Sequence, residues 1–556
     1  MKGVWNVGWV SAVDSQGRGS TRFLCSLCFL LIGSSTFTQF NSQSGTPNFD
    51  GQSWWNYVKV LADDKMEGRN TGSEGLKRAE AFIVDELKAD EVQPAGTNGY
   101  YQSVKLIARR TLENDSGLAL FHDGKLEPLS FDADAYFSSR FSQAPKVDAQ
   151  LVFVGWGLDI PEKGYSDLQG ADLKGKVAVL LYGGSPSEIP GPLSAHYNDI
   201  RQRWAALKKA GAIGIIAILN PHSMDIPWER LKMLRTQVGM ASADETLDDT
   251  AGIKLGVAFN PASADKLFAG SGHTFQEISD LAKARKPLPR FPLKVEIRAR
   301  VKMDVQHLES SNIVAKLDGN DPKLKQDCIV VSAHIDHLGI GEPINGDRIY
   351  NGAMDNGSGS AMLLDFARSF KENRPTFKRS VILLWITGEE KGLLGSRYFA
   401  EYPTVPGSSI VANINTDMFL PIIPLQAVTV YGISESDLGE WAAKMAKQHG
   451  IEAQDDPKPQ RNSFIRSDQY NFIRKGVPAV AMAVGCKLDT PQQKVIDEWL
   501  HNRYHAPSDD THQPVNLETA GKFEGLVWDL LAFTADNEKT PQWKPDSFFK
   551  RFAQHQ

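Results

Sequence analysis

The chain has 556 residues, of which 41% are hydrophobic and 23% charged, and its 61 basic and 67 acidic residues leave a formal net charge of −6. That composition excludes collagen-like, coiled-coil and wholly disordered chains. With no basic excess, the electrostatic footprint of a nucleic-acid binder is missing, so no nucleic-acid partner is expected.

The longest apolar run near the start spans residues 23–32, follows Arg18 and Arg22, and leads into Gly33-Ser34-Ser35-Thr36. It is shorter than the roughly 18 apolar residues of a membrane span, so no such span is expected. Its order is that of an export signal: residues 1–40 are expected to be a signal peptide and the protein to be exported, periplasmic or extracellular. Once that segment is removed only Cys328 and Cys486 remain. Any metal must then be held by His, Asp and Glu rather than by cysteine.

Residues 41–50 are polar and contain Gly and Pro, the composition of a linker. Residues 51–146 read as the first part of a main domain, in which Leu76, Ala79, Ile83 and Leu87 mark one buried face of a helix. The texture then changes: short apolar runs at 151–155, 176–181 and 213–219, with a helix near 200–210, describe a compact insert over 147–286. The Pro-rich stretch 283–293 reads as the return linker. Residues 287–540 form the second part of the main domain, and 541–556 a C-terminal tail.

In that second part the apolar runs 328–332, 381–386, 410–414 and 479–484 are continuous rather than alternating. Such strands are buried on both faces, as in a mostly parallel, mixed sheet covered by helices on either side. The expected fold is an α/β three-layer sandwich. Ligands in such sheets bind beyond the carboxyl ends of the strands. There the sequence places His334, Asp336 and His337 after the first run, Glu389 and Glu390 after the second, and Asp417 after the third; the loop from Tyr350 supplies Asp355. Carboxylates directly after a buried strand cost several kcal/mol each unless they are paired or bind a cation.

The motifs SAHIDHLGIG, NGAMDNGSGSAMLL, ITGEEKGLLGSRYF, NINTDM and YHAPSDD resemble, in order and spacing, those of the co-catalytic di-zinc exopeptidases of metallopeptidase family 28. The earlier MEGRNTGSEGLKRAEAFI is similar to that family's N-terminal helix region, and residues 151–184 and 206–221 resemble a protease-associated domain inserted between. The resemblance implies two Zn²⁺ per chain, with His334 and Asp417 on one, Glu390 and His505 on the other, and Asp355 bridging. It makes Glu389 the general base, Asp336 the group that orients His334, and Tyr504 a residue that polarises the scissile carbonyl. Three protein ligands per ion leave each with an open position, as catalytic zinc requires. His337, Asp509 and Asp510 read as structural hydrogen-bonding residues, and Gln469 stands where many members carry His. The implied activity is hydrolysis of peptides, as an aminopeptidase. A carboxypeptidase of the glutamate carboxypeptidase type is the alternative; a glutaminyl cyclase is disfavoured because its relatives usually use one zinc and lack this insert, and a non-catalytic protein on the same scaffold, as in the transferrin receptor, because all five ligands and Glu389 are present.

Overall fold

The computed structural model describes residues 47–555 other than 225 and 462, so the expected signal peptide and most of the following linker lie outside the described residues. The four continuous apolar runs are strands Cys328–His334, Ser380–Ile386, Ile410–Asn415 and Ala479–Gly485. They pair in parallel, the first lying between the second and third and the third beside the fourth. Successive side chains leave a strand on opposite faces. Ile329, Val331 and Ala333 accordingly pack with the helices Gln52–Leu61, Ser358–Asn373 and Leu517–Asp536, while Cys328 and Val330 pack with Phe399 and Phe472 on the other face. The result is an α/β three-layer sandwich, parallel at the centre of the sheet with antiparallel pairs on either side of it.

Two long strands, Tyr101–Thr111 and Met303–Leu317, extend this ten-stranded sheet on one side. Burial alternates along the first, while the second is largely exposed until residue 309 and continuously buried only over 312–315, so neither shows a long apolar run. The helix expected from Leu76, Ala79, Ile83 and Leu87 is Glu74–Ala89, started by Ser73, whose hydroxyl accepts from the Leu76 amide.

A second lobe is built on an eight-stranded sheet with an apolar core on each face. Its strands include the expected Lys146–Val154, Val177–Tyr182 and Gly214–Leu219, but also Gly117–His122, Lys125–Pro128 and Ala135–Phe137 before residue 147, and Arg290–Arg300 after residue 286. The lobe therefore reaches beyond the expected insert. The stretch read as a return linker is strand from Arg290 onward. Pro292 is accommodated because the register with Lys146–Val154 shifts between Pro292 and Glu296, a bulge that needs no amide donor there. The lobe is also stitched to the main sheet, since its Gly239–Ser242 strand pairs with Tyr101–Thr111. Residues of the C-terminal stretch dock as well: Trp543 and Phe549 are buried beside Tyr470 and Ile473, and the Trp543 indole donates to Gly476 O at 2.8 Å. Among the described residues no helix is long and apolar enough to cross a membrane.

Candidate metal centre

The carboxyl ends of the parallel strands converge on one cluster. His334 ends its strand and Asp417 lies two residues beyond Asn415. Glu389 and Glu390 follow the turn at Gly388, whose φ of 69° is a left-handed value that glycine adopts freely. Asp355 comes from the turn Ala353–Gly357, and this turn is pinned by Asp509: its two carboxylate oxygens accept from the amides of Met354 and Asp355 at 2.9 and 3.0 Å. Asp509 is thus the structural hydrogen-bonding residue expected. His505 follows the helix Pro491–Asn502.

Around Asp355 the donors divide into two groups. His334 Nε2 lies 3.3 Å from one Asp355 oxygen and 3.2 Å from Asp417 Oδ1. His505 Nε2 lies 3.2 Å from the other Asp355 oxygen and 3.4 Å from Glu390 Oε2. One ligand atom from each of His334, Asp355 and Asp417 falls within 4.8 Å of the others, and the same holds for His337, Asp355 and Glu390. The five residues proposed as ligands are therefore brought together with Asp355 in the middle.

His337 joins them. It is fully buried, and its Nδ1 lies 2.8 Å from Glu390 Oε1 and 3.8 Å from Asp355. A hydrogen-bonding role was expected of it, but not a partner inside the cluster, because strand alternation does not tell which loop a neighbouring side chain meets. The supporting role of Asp336 is also routed differently. Its main-chain carbonyl, not its carboxylate, lies 3.1 Å from His334 Nδ1. A carbonyl only accepts, so Nδ1 carries the proton and Nε2 faces the carboxylates. The Asp336 carboxylate accepts instead from the Glu389 amide at 3.0 Å and from the Thr71 hydroxyl at 2.7 Å. Asp336 so links His334 to the Glu389 loop.

One residue escaped the sequence reading. Arg69 is completely buried and donates to Ile335 O at 2.8 Å, Asn351 O at 2.7 Å and Gly352 O at 2.9 Å, tying the His334 and Asp355 segments together. It lies inside the MEGRNTGSEG motif, so its place was visible but its contacts were not. Gln469, the departure from the family pattern, is a structural tie: it accepts from Asn415 Nδ2 at 2.9 Å and donates to Phe464 O at 3.0 Å.

The charges show what such a cluster needs. Burial opposes protonation of His505, yet Glu390 and Asp355 raise it to about 10, and His334 is raised well above its ordinary value against the same burial by Asp417 and Glu389. Burial would raise Glu390, but His505 and His337 outweigh it and hold the carboxyl well below the usual range. Burial, with Asp417 and Glu390 adding to it against His334, pushes Glu389 well above. The potential is negative enough to keep two imidazoles protonated, and divalent cations would take the place of those protons. Imidazole and carboxylate donors without thiolate suit zinc. Donor set, spacing and potential all fit the implied metal.

Glu389, half-buried, opens with Asp417, Tyr504 and His505 onto a cleft. Met418, Leu420, Val484, Ile496 and Leu500 give it an apolar wall, and Lys458, Arg461 and Arg466 stand among its polar residues. The Tyr504 ring lies against His505, centroids 4.0 Å apart, and burial keeps its phenol protonated far above the usual value.

Residues 312–531 match the family model described as peptidase family M28. Aminopeptidase Y of Saccharomyces cerevisiae is 24% identical over 226 residues, which are 39% of this chain and 38% of that protein. Leucine aminopeptidase 1 of Trichophyton equinum is 34% identical over 119 residues, 20% of this chain and 29% of that protein. The chain thus matches less than two fifths of the length of either relative. Among solved structures, the aminopeptidase from Aneurinibacillus sp. strain AM-1 shares the fold, with a TM-score of 0.55 at 17% identity over 89% of this chain and 96% of that one.

Proposed function

We propose, because residues 312–531 match the peptidase family M28 model, that the chain is a zinc-dependent exopeptidase of that family, acting as an aminopeptidase on peptides with two Zn²⁺ per chain. The observation that carries this reading is the sharing of Asp355 between His334 and Asp417 on one side and Glu390 and His505 on the other. In this reading His334 and Asp417 hold one ion, Glu390 and His505 the second, and Asp355 bridges. When bound, zinc supplies polarisation of the attacking water and of the scissile carbonyl.

The remaining work falls to the chain. Glu389 takes a proton from the attacking water and delivers it to the leaving amine. Its amide, donated to Asp336, fixes the position from which it does so. Tyr504, protonated and lining the same cleft, donates to the carbonyl oxygen as charge develops there. Met418, Leu420, Val484, Ile496 and Leu500 accommodate an apolar side chain at the cleaved end. The second lobe is read as the protease-associated domain, and the segment 1–40 as the signal that exports the enzyme.

Aminoacyl anilides and N-blocked peptides test the reading. Leucyl anilide is expected to be cleaved, N-blocked peptides to resist, and a chelator to abolish activity that zinc restores. Cleavage of N-blocked peptides from their carboxyl end would establish the carboxypeptidase instead.

A further inference from the structure

We propose that Arg140 and Arg230, both carried by the second lobe, are positioning residues for the metal position served by Glu390 and His505, and not for the position served by His334 and Asp417. The inference rests on the two-metal reading above.

The helix Pro491–Asn502 ends shortly before Tyr504 and His505, and the last carbonyls of any helix lack partners within it. Arg230, from the short helix Trp228–Leu231, supplies them: Nη1 donates to His501 O at 2.5 Å and Nη2 to Leu500 O at 3.1 Å. A cation at a helix C-terminus is also favoured by the helix dipole. The loop that follows needs such an anchor, since His505 has a φ of 55°, a left-handed value unusual for a residue with a Cβ. The same stretch of the second lobe reaches His505, since Ile226, Arg230, Met233 and Leu234 line a small cavity together with His505 and Tyr350 of the main domain.

Arg140 acts on the other loop. It lies between the strands Ala135–Phe137 and Lys146–Val154, and its Nη2 donates to Glu390 O at 2.9 Å. Glu390 is therefore held at its own carbonyl, and His505 through the helix end that precedes it, by guanidinium groups of one lobe. The hydrogen bonds that fix the other position come from the main domain: Ser360 Oγ donates to His334 O at 2.8 Å, the Thr416 amide to Ser332 O at 2.9 Å, and Asn356 Nδ2 to Thr416 O at 2.9 Å.

Electrostatics separates positioning from charge. Arg140 and Arg230 are cations, so deleting either charge removes repulsion and, by that effect alone, tightens a divalent cation. Loss of a group that holds ligands in place does the opposite, typically by roughly 10- to 100-fold in metal affinity.

The test is competition titration of the full-length enzyme with zinc against a chromophoric chelator. Wild type is expected to bind two ions. Arg230→Met, which keeps the aliphatic stem, is expected to bind one of them at least about tenfold more weakly, with Arg230→Lys recovering part of the loss. Placed on Asp417→Ala, which leaves the Glu390–His505 position, Arg230→Met is expected to weaken the remaining ion; placed on His505→Ala it is expected to leave the remaining ion unchanged. Arg140→Gln, at an exposed side chain, is expected to weaken the same ion and serves if Arg230→Met does not fold. Two-ion binding by wild type with both affinities unchanged, both lowered equally, or either raised in the variants would overturn the positioning role while leaving the two-metal reading intact. A wild type that binds fewer than two ions would overturn the two-metal reading, and the proposal with it.

Discussion

Replacing Gly352 by alanine puts a methyl group where the metal centre has no room for one. Gly352 has φ 62° and ψ 53°, and a Cβ built there meets Asp355 O at 2.2 Å and two carbons of the His337 ring at 2.6 Å. The left-handed backbone costs a non-glycine residue about 1–2 kcal/mol, and forcing a methyl group into a filled space about 1–3 kcal/mol more. The sum, roughly 2–5 kcal/mol, is a large part of the 5–15 kcal/mol by which domains are ordinarily stable. Carbon atoms pack at about 3.5–4.0 Å, so relieving the ring contact moves His337 or Gly352 by about 1 Å, whereas metal–ligand distances tolerate only about 0.2 Å. Gly352→Ala is therefore expected to lose zinc as well as stability. Gly124→Ala is the control, because Gly124 has φ 73° but nothing within 4 Å of the added Cβ, so it reports the backbone strain alone. Thermal unfolding and zinc content of both variants decide the matter. If Gly352→Ala kept wild-type zinc and melted within a degree of Gly124→Ala, the steric reasoning would be refuted.

The adjacent glutamates are expected to separate: Glu389→Gln should keep its zinc and lose at least about two orders of magnitude in kcat, whereas Glu390→Gln should lose zinc. Equal zinc content and equal kcat in the two variants would show that the roles are not divided in this way. Asp355→Ala is expected to release both ions on dialysis, and retention of one tightly held ion would argue against a bridge. His196, whose Nδ1 lies 2.6 Å from the Tyr470 hydroxyl where the second lobe meets the main domain, is lowered from 6.5 to about 4, chiefly by burial. The unfolded chain binds its proton first, so the stability it contributes is complete above about pH 6.5 and falls by up to about 3 kcal/mol as the pH drops towards 4. Urea midpoints between pH 7 and 5 should fall less steeply in His196→Gln than in wild type, and equal slopes would contradict this.

Much of the main domain was legible because burial on both faces of a strand writes itself locally. The runs 328–332, 381–386, 410–414 and 479–484 could be read as central strands, and the polar residues at their carboxyl ends as one cluster, before any contact was known. Glu74–Ala89 was legible for the same reason, its period of apolar residues being a local property. The flanking strands Tyr101–Thr111 and Met303–Leu317 were not, since alternating burial in the first and an exposed, polar first half in the second leave no long run to see. Pro292 likewise reads as a linker residue until the bulge that admits it is known.

Family motifs suggested the proposed ligand set, but only the tertiary structure decided which oxygen of Asp336 meets His334, that His337 turns onto Glu390, and that Arg69 binds the His334 and Asp355 segments together. It also decided that a lobe holding none of the proposed ligands lays Arg140 on the Glu390 carbonyl and Arg230 on the end of the helix that precedes His505. Periodicity and motif spacing are properties of neighbours along the chain, and the sequence by itself determined what depends on them. A hydrogen bond between residues separated by 250 or 271 positions, as these two are, depends on how two lobes pack, and no local pattern encodes that.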